Sequence, residues 1–206
     1  NDNIVDWVFV EVRNAVTSGS NILQTRSALI QRDGDIVDTD GKSLLYFKDL
    51  TDHIYTVTIR HRNHLAMSTN NAGNQYARMS NLSYLSEFDF TTATANRLLG
   101  NGGNANTSNY NITGGLNMLF GGNANGVLNN NRISFSGSAN DASYILGPVL
   151  NGASNVLGNP NGVYHWADLN MDRQVNYTGI NNDQSFILVK SLGSFPGSTR
   201  TEVKPQ

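Results

Sequence analysis

Oxygen-bearing side chains occupy alternate positions in one stretch of the C-terminal half of this chain. They belong to Asp168, Asn170 and Asp172, and the aliphatic Val175 follows shortly after them. A loop that curls around a cation turns alternate side chains toward it, and Ca²⁺ prefers to be surrounded by oxygen ligands. The pattern therefore predicts a calcium loop in which Gln174 contributes its backbone carbonyl and Val175 anchors the loop to a core.

Two positions depart from the usual calcium loop of the EF-hand kind. Arg173 stands where glycine normally supplies a positive φ, which costs some strain. Gly179 replaces the closing carboxylate, so Asp183 must close the loop after an insertion at 177–180, with Asn176 or a water completing the shell. A metal-free turn is the alternative interpretation, because Asp and Asn also bond to their own backbone.

A similar segment lies upstream. Residues 135–146 and 177–188 share aromatic, hydroxyl, Gly, Asn-Asp, Ser, aromatic and Ile-Leu positions in the same order. This agreement predicts a tandem duplication. The first copy offers amides where the second offers carboxylates, and fewer charges weaken calcium binding. The main metal site is predicted to comprise Asp168, Asn170, Asp172, Gln174, Asn176 and Asp183. The weaker site is predicted to comprise Asn123, Asn125, Asn130, Arg132 and Asp141.

The second copy reads D-L-N-M-D-R-Q-V-N-Y-T-G-I-N-N-D from Asp168 to Asp183. It resembles the paired dockerin-like calcium loops near the C-termini of large secreted and cell-surface proteins of Bacteroidota. Short sequence segments in the N-terminal half resemble the same family, at residues 6–8, 26–29, 31–38 and 60–65. The resemblance is weakest between about 92 and 117. It implies adhesion, since such proteins are often labelled adhesins or haemagglutinins, while others carry polysaccharide-degrading domains elsewhere.

Composition agrees with an extracellular origin. Cysteine is absent, which excludes a disulfide framework and thiol chemistry. The net charge of -2 argues against binding to nucleic acid or to a membrane surface. No apolar run approaches the length of a transmembrane helix. The chain begins at Asn1 rather than Met, so we expect a mature or excised fragment of a secreted or cell-surface protein.

Short apolar strands separated by Gly, Asp and Asn predict a mainly β fold. The segment from Ile54 to His61 alternates most clearly, and Tyr84 to Phe90 is predicted to be the last strand of this part. We expect an N-terminal antiparallel β-sandwich domain at residues 1–95. Residues 96–206 are expected to form a loop-rich region with two duplicated calcium loops and short helices. Thr91 to Leu99 could form a short helix, followed by a polar, glycine-rich surface loop.

Three other groups of residues have alternative interpretations. The carboxylates between Asp33 and Asp40 suit either another calcium site or a hairpin tip, and Asp-Gly favours the turn. His61 and His64 lie three apart on a predicted strand, so they should face opposite sides and not share a metal. The arginines beside them could bind an anionic sugar, although paired charges at a strand end are the favoured interpretation. Trp7 and Trp166 could stack on sugars, although core positions are commoner.

Catalytic motifs are lacking. The sequence contains no G-x-S-x-G, no H-E-x-x-H and no P-loop, so we expect no enzyme. The leading function is cell-surface adhesion or attachment within a larger protein. One alternative is a carbohydrate-binding module of a polysaccharide-degrading enzyme, and another is a dockerin-type protein-interaction module. The expected cofactor is Ca²⁺, and the expected partners are a polysaccharide or a surface protein, without nucleic acid and without membrane insertion.

Overall fold

The structure is a computed structural model that describes residues 3–14, 21–50, 53–70, 77–79, 88–94, 98–99, 110–113, 115–125, 131–152, 157–158 and 165–202. Within these ranges the fold is mainly β, with a curled antiparallel sheet and two short helices. The described part contains no helix with the length and apolar character needed to cross a membrane.

One antiparallel sheet dominates the N-terminal half. Its strands are β1 (Ile4–Asn14), β2 (Ile22–Gln31), β3 (Ile36–Val37), β4 (His53–Arg60), β5 (Met67–Ser68) and β6 (Ala77–Met79). Their order is β3-β2-β1-β4-β5, and β6 also pairs with β4. The long strand β1 is central, because it pairs with β2 on one side and with β4 on the other.

Strand alternation explains where the first core lies. Successive side chains of a strand point to opposite faces, and Val8, Val10 and Val12 are all buried on one face of β1. They pack against apolar residues of the neighbouring strands and of the segment that follows β3. These residues are Ala28, Phe47, Leu50, Tyr55, Val57 and Ile59. On the other face, Trp7 and Phe9 keep 37% and 39% of their surface exposed.

The C-terminal half contains smaller elements. Its strands are β7 (Tyr110–Thr113), β8 (Leu116–Leu119), β9 (Arg132–Ser134), β10 (Leu157–Gly158), β11 (Gln174–Val175) and β12 (Thr199–Thr201), paired as β7-β8, β9-β12 and β10-β11. Helix α1 (Asp141–Tyr144) continues into a π-helical segment at Ile145–Val149. Helix α2 (Asp183–Ser185) continues likewise at Phe186–Ser191.

A second core joins these elements. Its fully or nearly buried members include Phe120, Ile133, Ile145, Leu150, Leu169, Val175, Ile187 and Leu192. Leu65, from the segment after β4, is 0% exposed and belongs to the same core. The segment after β4 therefore packs against the C-terminal half of the chain.

Two predicted elements differ from the structure. Residues 91–94 form a turn and irregular backbone rather than the start of a helix. The Asp89 carboxylate stabilises this turn, because it accepts hydrogen bonds from the backbone N–H groups of Thr91 and Thr92. A strand predicted for 84–90 is absent at 88–90, and its earlier part lies outside the described residues, as does the predicted loop at 100–109.

Circular dichroism should give a β-rich spectrum for the purified chain. The expected helical content lies well below about one third, the average for globular proteins, because α1 and α2 are only one turn long before their π-helical continuations. A spectrum with more helix than this average would contradict the fold.

Candidate metal-binding loops

The predicted calcium loop adopts a tightly hydrogen-bonded conformation. Asp168 accepts the backbone N–H groups of Asp172 and Arg173 through its two carboxylate oxygens, at 3.1 and 3.0 Å. Asp172 in turn accepts the N–H of Gln174 at 2.8 Å. Arg173 has a φ of 71°, so the positive φ predicted at this position is present although the residue is not glycine. These bonds fold the backbone closely about its oxygen-bearing side chains.

Asp183 connects the two ends of this loop. It is 0% exposed, and one carboxylate oxygen accepts the N–H of Leu169 at 2.6 Å while the other accepts the N–H of Asn176 at 2.7 Å. A longer bond of 3.4 Å reaches it from the N–H of Asn170. The predicted closing residue thus closes the loop by hydrogen bonds to the backbone, and its role as a metal ligand stays a prediction. Val175 is 3% exposed and anchors the loop to the second core as expected.

The first segment makes corresponding hydrogen bonds around Asp141. This carboxylate is also 0% exposed and accepts the N–H groups of Asn125 at 3.1 Å and of Ser134 at 2.7 Å. Asn140 and Asn182 cap α1 and α2 in the same way, since each accepts an N–H at 2.7 Å from the serine three residues later. Asp141 therefore has the same structural role in the first segment as Asp183 has in the second.

The structure does not test Asn130 as a member of the weaker predicted site, and it gives the Arg132 side chain another partner. Asn130 lies outside the described residues. Arg132 lies on β9, and its guanidinium donates to the carbonyl of Ser138 at 3.4 Å. As a cation, the Arg132 side chain offers no oxygen to a metal.

Four buried side-chain oxygen atoms of the described residues have no hydrogen-bond partner, and all four belong to the two loop segments. They are Asn123 Oδ1, Asn125 Oδ1, Ser134 Oγ and Asn176 Oδ1. A buried acceptor without a partner costs about 1–3 kcal/mol, so such atoms call for an explanation such as an ion or a water. Neutral oxygens of this kind are ligands that Ca²⁺ accepts, and the donor set therefore fits the predicted cation.

The charge of the two segments differs as the sequence predicts. The second segment brings the carboxylates of Asp168, Asp172 and Asp183, while the first places Asp141 beside the amides of Asn123 and Asn125. Within the described ranges, no three His, Cys, Asp or Glu side chains form a group suited to a metal. A cation in either segment would therefore depend on amide and backbone oxygens as well as carboxylates.

Burial raises the pKa of the loop carboxyls. It raises the pKa of Asp141 to about 7, although several backbone N–H groups oppose the shift. Burial, together with the nearby charge of Asp168, likewise raises the pKa of Asp183 to about 6 against the effect of its own N–H donors. The pKa of Asp168 is also raised, chiefly by burial. A bound divalent cation would favour the ionised form of each group.

These shifts predict a pH dependence in the absence of calcium. The pKa of Asp141 rises on folding from 3.8 to about 7, so the folded chain binds more protons than the unfolded chain between these values. Its contribution to the free energy of unfolding is full below about pH 4 and is lost as the pH rises through about 7. Urea unfolding in EDTA should therefore show Asp141→Asn gaining stability relative to wild type between pH 4 and 7.

The comparison with Asp141→Asn is needed because histidines act in the opposite sense. Burial lowers the pKa of His64 to about 3, so its contribution to stability grows as the pH rises over part of the same range. The contribution of His64 is the same in wild type and in Asp141→Asn, so it cancels when their free energies of unfolding are subtracted. A difference that is constant from pH 4 to 7, or that changes in the other direction, would contradict the assignment to Asp141.

Asn63 links both loop segments to the chain that leaves the sheet, and sequence reasoning did not single it out. It is 0% exposed, and its carbonyl accepts the N–H groups of Gly122 and Asn123 at 3.0 and 3.1 Å. Its side-chain amide donates to the carbonyl of Asp168 at 2.8 Å. Asn63 therefore contacts the first predicted ligand residue of each loop.

The prediction that His61 and His64 face opposite sides is wrong. Strand β4 ends at Arg60, one residue before His61, and the chain turns at residues 62–63. The turn brings the two rings together, with their Nδ1 atoms 2.8 Å apart and their centroids 4.6 Å apart.

The neighbouring arginines form internal ion pairs. Arg60 bonds to Glu11 at 2.7 Å and to Glu202 at 3.0 Å. Arg62 bonds to Asp6 at 3.0 Å and donates to the carbonyl of His165 at 2.6 Å. These contacts favour the interpretation of paired charges at a strand end over an anionic-sugar site.

The carboxylates between Asp33 and Asp40 act separately. Asp33 accepts the N–H of Asp35 in the turn between β2 and β3, at 3.1 Å. Asp38 forms an ion pair with Arg26 at 2.7 Å, and Asp40 accepts the N–H of Ser43 at 2.8 Å. Asp33, Asp38 and Asp40 thus each have a different partner, which favours the turn interpretation over a shared calcium site.

No family model, curated protein or solved structure matches this chain. The family resemblance therefore rests on the sequence motifs alone.

Proposed function

We propose that this chain is a non-catalytic, calcium-stabilised module of a secreted or cell-surface protein, and that it serves adhesion or attachment within a larger molecule. The observation that carries the proposal is the placement of the unpartnered buried oxygens. Asn123, Asn125 and Asn176, which the sequence predicts as ligands, each have a buried oxygen without a hydrogen-bond partner. A cation bound there would remove the cost of burying them.

A tandem duplication is part of this proposal. It is supported by the corresponding bonds of Asp141 and Asp183 and by the positive φ values at equivalent positions, 52° at Ala139 and 55° at Asn181. We also keep the β-sandwich as a proposal for the N-terminal domain. The buried valines on one face of β1 suit one layer of such a fold.

One observation favours a carbohydrate-binding module as the second candidate. Trp7 and Phe9 lie on the outer face of the sheet with their rings 4.9 Å apart, and more than a third of each side chain is exposed. Partly exposed aromatic rings offer large apolar surfaces suited to packing against a sugar face. The favoured expectation of a buried Trp7 is therefore wrong, and the same holds for Trp166, which is also 37% exposed.

A glycan array probed in calcium and again in EDTA separates the two candidates. Strong binding to one polysaccharide class, lost on Trp7→Ala, would favour the carbohydrate-binding module. Trp166→Ala is the matched control, because Trp166 is equally exposed but lies beside the second loop and stacks on His165 at 4.2 Å. Absence of glycan binding would favour adhesion to a protein. Glycan binding that is equal in calcium and in EDTA would show that the recognition surface does not depend on calcium in the loops.

A further inference from the structure

We propose that His61, His64 and Asn63 form a binding site for a late divalent transition metal such as Cu²⁺ or Ni²⁺, separate from the calcium loops. The site lies where the chain leaves β4. Its ligands would be Nδ1 of each imidazole and Oδ1 of the asparagine.

The three ligand atoms lie within hydrogen-bonding distance of one another. The two Nδ1 atoms are 2.8 Å apart, and Asn63 Oδ1 lies 3.0 Å from His61 Nδ1 and 2.7 Å from His64 Nδ1. Ligands bound at roughly 2.0–2.1 Å to one metal would be about 3.4 Å apart at the tetrahedral angles of zinc, and about 2.9 Å apart at the right angles of a tetragonal Cu²⁺ or Ni²⁺ site. The observed spacing thus suits three adjacent positions around a tetragonal ion.

Two of the three atoms have their lone pairs directed toward the cluster. His61 Nε2 lies 3.0 Å from a carboxylate oxygen of the buried Asp6. Asp6 also accepts the Trp7 N–H and a guanidinium N–H of Arg62, so this carboxylate accepts and Nε2 donates. When Nε2 carries the ring hydrogen, Nδ1 has the lone pair that a metal binds. Asn63 Nδ2 donates to the carbonyl of Asp168, which leaves Oδ1 to face the rings.

The two imidazole rings meet edge to face, with an angle of 77° between their planes. Their Nδ1 atoms face each other at 2.8 Å, and Asn63 Oδ1 lies beside both. A metal ion at this point would accept a lone pair from each of the three atoms.

The chemistry of the cluster selects the class of metal. Imidazole ligands suit zinc, copper and nickel, whereas Ca²⁺ prefers oxygen. A metal-bound histidine commonly donates its other ring N–H to a carboxylate, as His61 does to Asp6. The nearby Arg62 cation is paired with the same carboxylate at 3.0 Å. The third proposed ligand is the amide oxygen of Asn63, so the site requires no third histidine or acidic side chain.

The test uses tag-free protein that has been treated with EDTA and dialysed. Calorimetric titration with Cu²⁺ should give one strong site that a large excess of Ca²⁺ does not displace. The electron paramagnetic resonance spectrum at one equivalent of Cu²⁺ should show coupling to two nitrogen donors. His64→Ala should weaken Cu²⁺ binding by at least 100-fold, since it removes a ligand, and Asp6→Asn should weaken it by about 10–100-fold.

His165→Ala is the control. Its side chain lies outside the cluster, and the carbonyl that Arg62 contacts is a backbone atom that the substitution retains. Unchanged Cu²⁺ binding in His165→Ala is expected. Binding that survives in both His61→Ala and His64→Ala would overturn the proposal. If those variants fail to fold, the wild-type Cu²⁺ spectrum decides, because a spectrum without two-nitrogen coupling overturns it equally.

Discussion

Saturating calcium should raise the melting temperature of the wild-type chain, and Asp172→Ala should remove most of the increase. Binding to the folded state alone adds about 2.7 kcal/mol when the ion is at about 100 times Kd. For a chain of this size that corresponds to roughly 5–10 °C. Asp172 is exposed, and its carboxylate would bind the ion directly as a charged ligand. Differential scanning calorimetry in calcium and in EDTA measures the shift.

Asn130→Ala provides the matched control, because Asn130 occupies the corresponding position in the first copy of the sequence. An amide there adds no charge to the site, so its loss should change the calcium-induced shift little. Equal reductions in Asp172→Ala and Asn130→Ala would show that the loops are equivalent. The predicted difference between a strong and a weak loop would then be wrong.

Asp183→Ala should lower the free energy of unfolding by about 2–4 kcal/mol even without calcium. The side chain is 0% exposed and accepts N–H groups from both ends of the second loop, at Leu169 and Asn176. Removing it leaves these donors buried without a partner, at about 1–3 kcal/mol for each unsatisfied group. The raised pKa of Asp183 keeps the net loss below the sum of those costs. Urea unfolding in EDTA measures the change.

Asp40→Ala tests whether this cost depends on burial. Asp40 also accepts two backbone N–H groups, at 2.9 and 2.8 Å, but its turn is exposed to water. Water can replace an exposed acceptor, so we expect a much smaller loss than in Asp183→Ala. Similar losses in Asp40→Ala and Asp183→Ala would contradict the closing role of Asp183.

Features that depend only on residues adjacent in the sequence could be predicted from local sequence patterns. Alternation of apolar and polar residues identifies β4 to within one residue of its end. Alternate oxygen donors followed by Val175 identify a loop whose Arg173 has the required positive φ and whose valine is buried. In both cases a single short period determines the backbone conformation, so the sequence carries that information directly. Burial follows the period less closely in β4, because Thr56 and Thr58 on its polar face are only 2% and 0% exposed.

Features that depend on distant contacts could not be predicted in this way. The convergence of His61 and His64 follows from the turn after Arg60, and the period of the strand gives no sign of where it ends. Asn63 joins residues far apart in the chain, at Asn123 and Asp168. The exposure of Trp7 depends on which face of the sheet is covered, and its own neighbours do not reveal this.

A crystal structure grown in calcium tests the central claim most directly. We predict one strongly bound ion at the second loop, about 2.3–2.6 Å from side-chain oxygens of Asp168, Asn170 and Asp172 and from the carbonyl of Gln174. Asp183 should remain beneath the loop and take part in closing it. A second loop without an ion at saturating calcium, or an ion with Asp183 turned away from Asp168, would contradict the account.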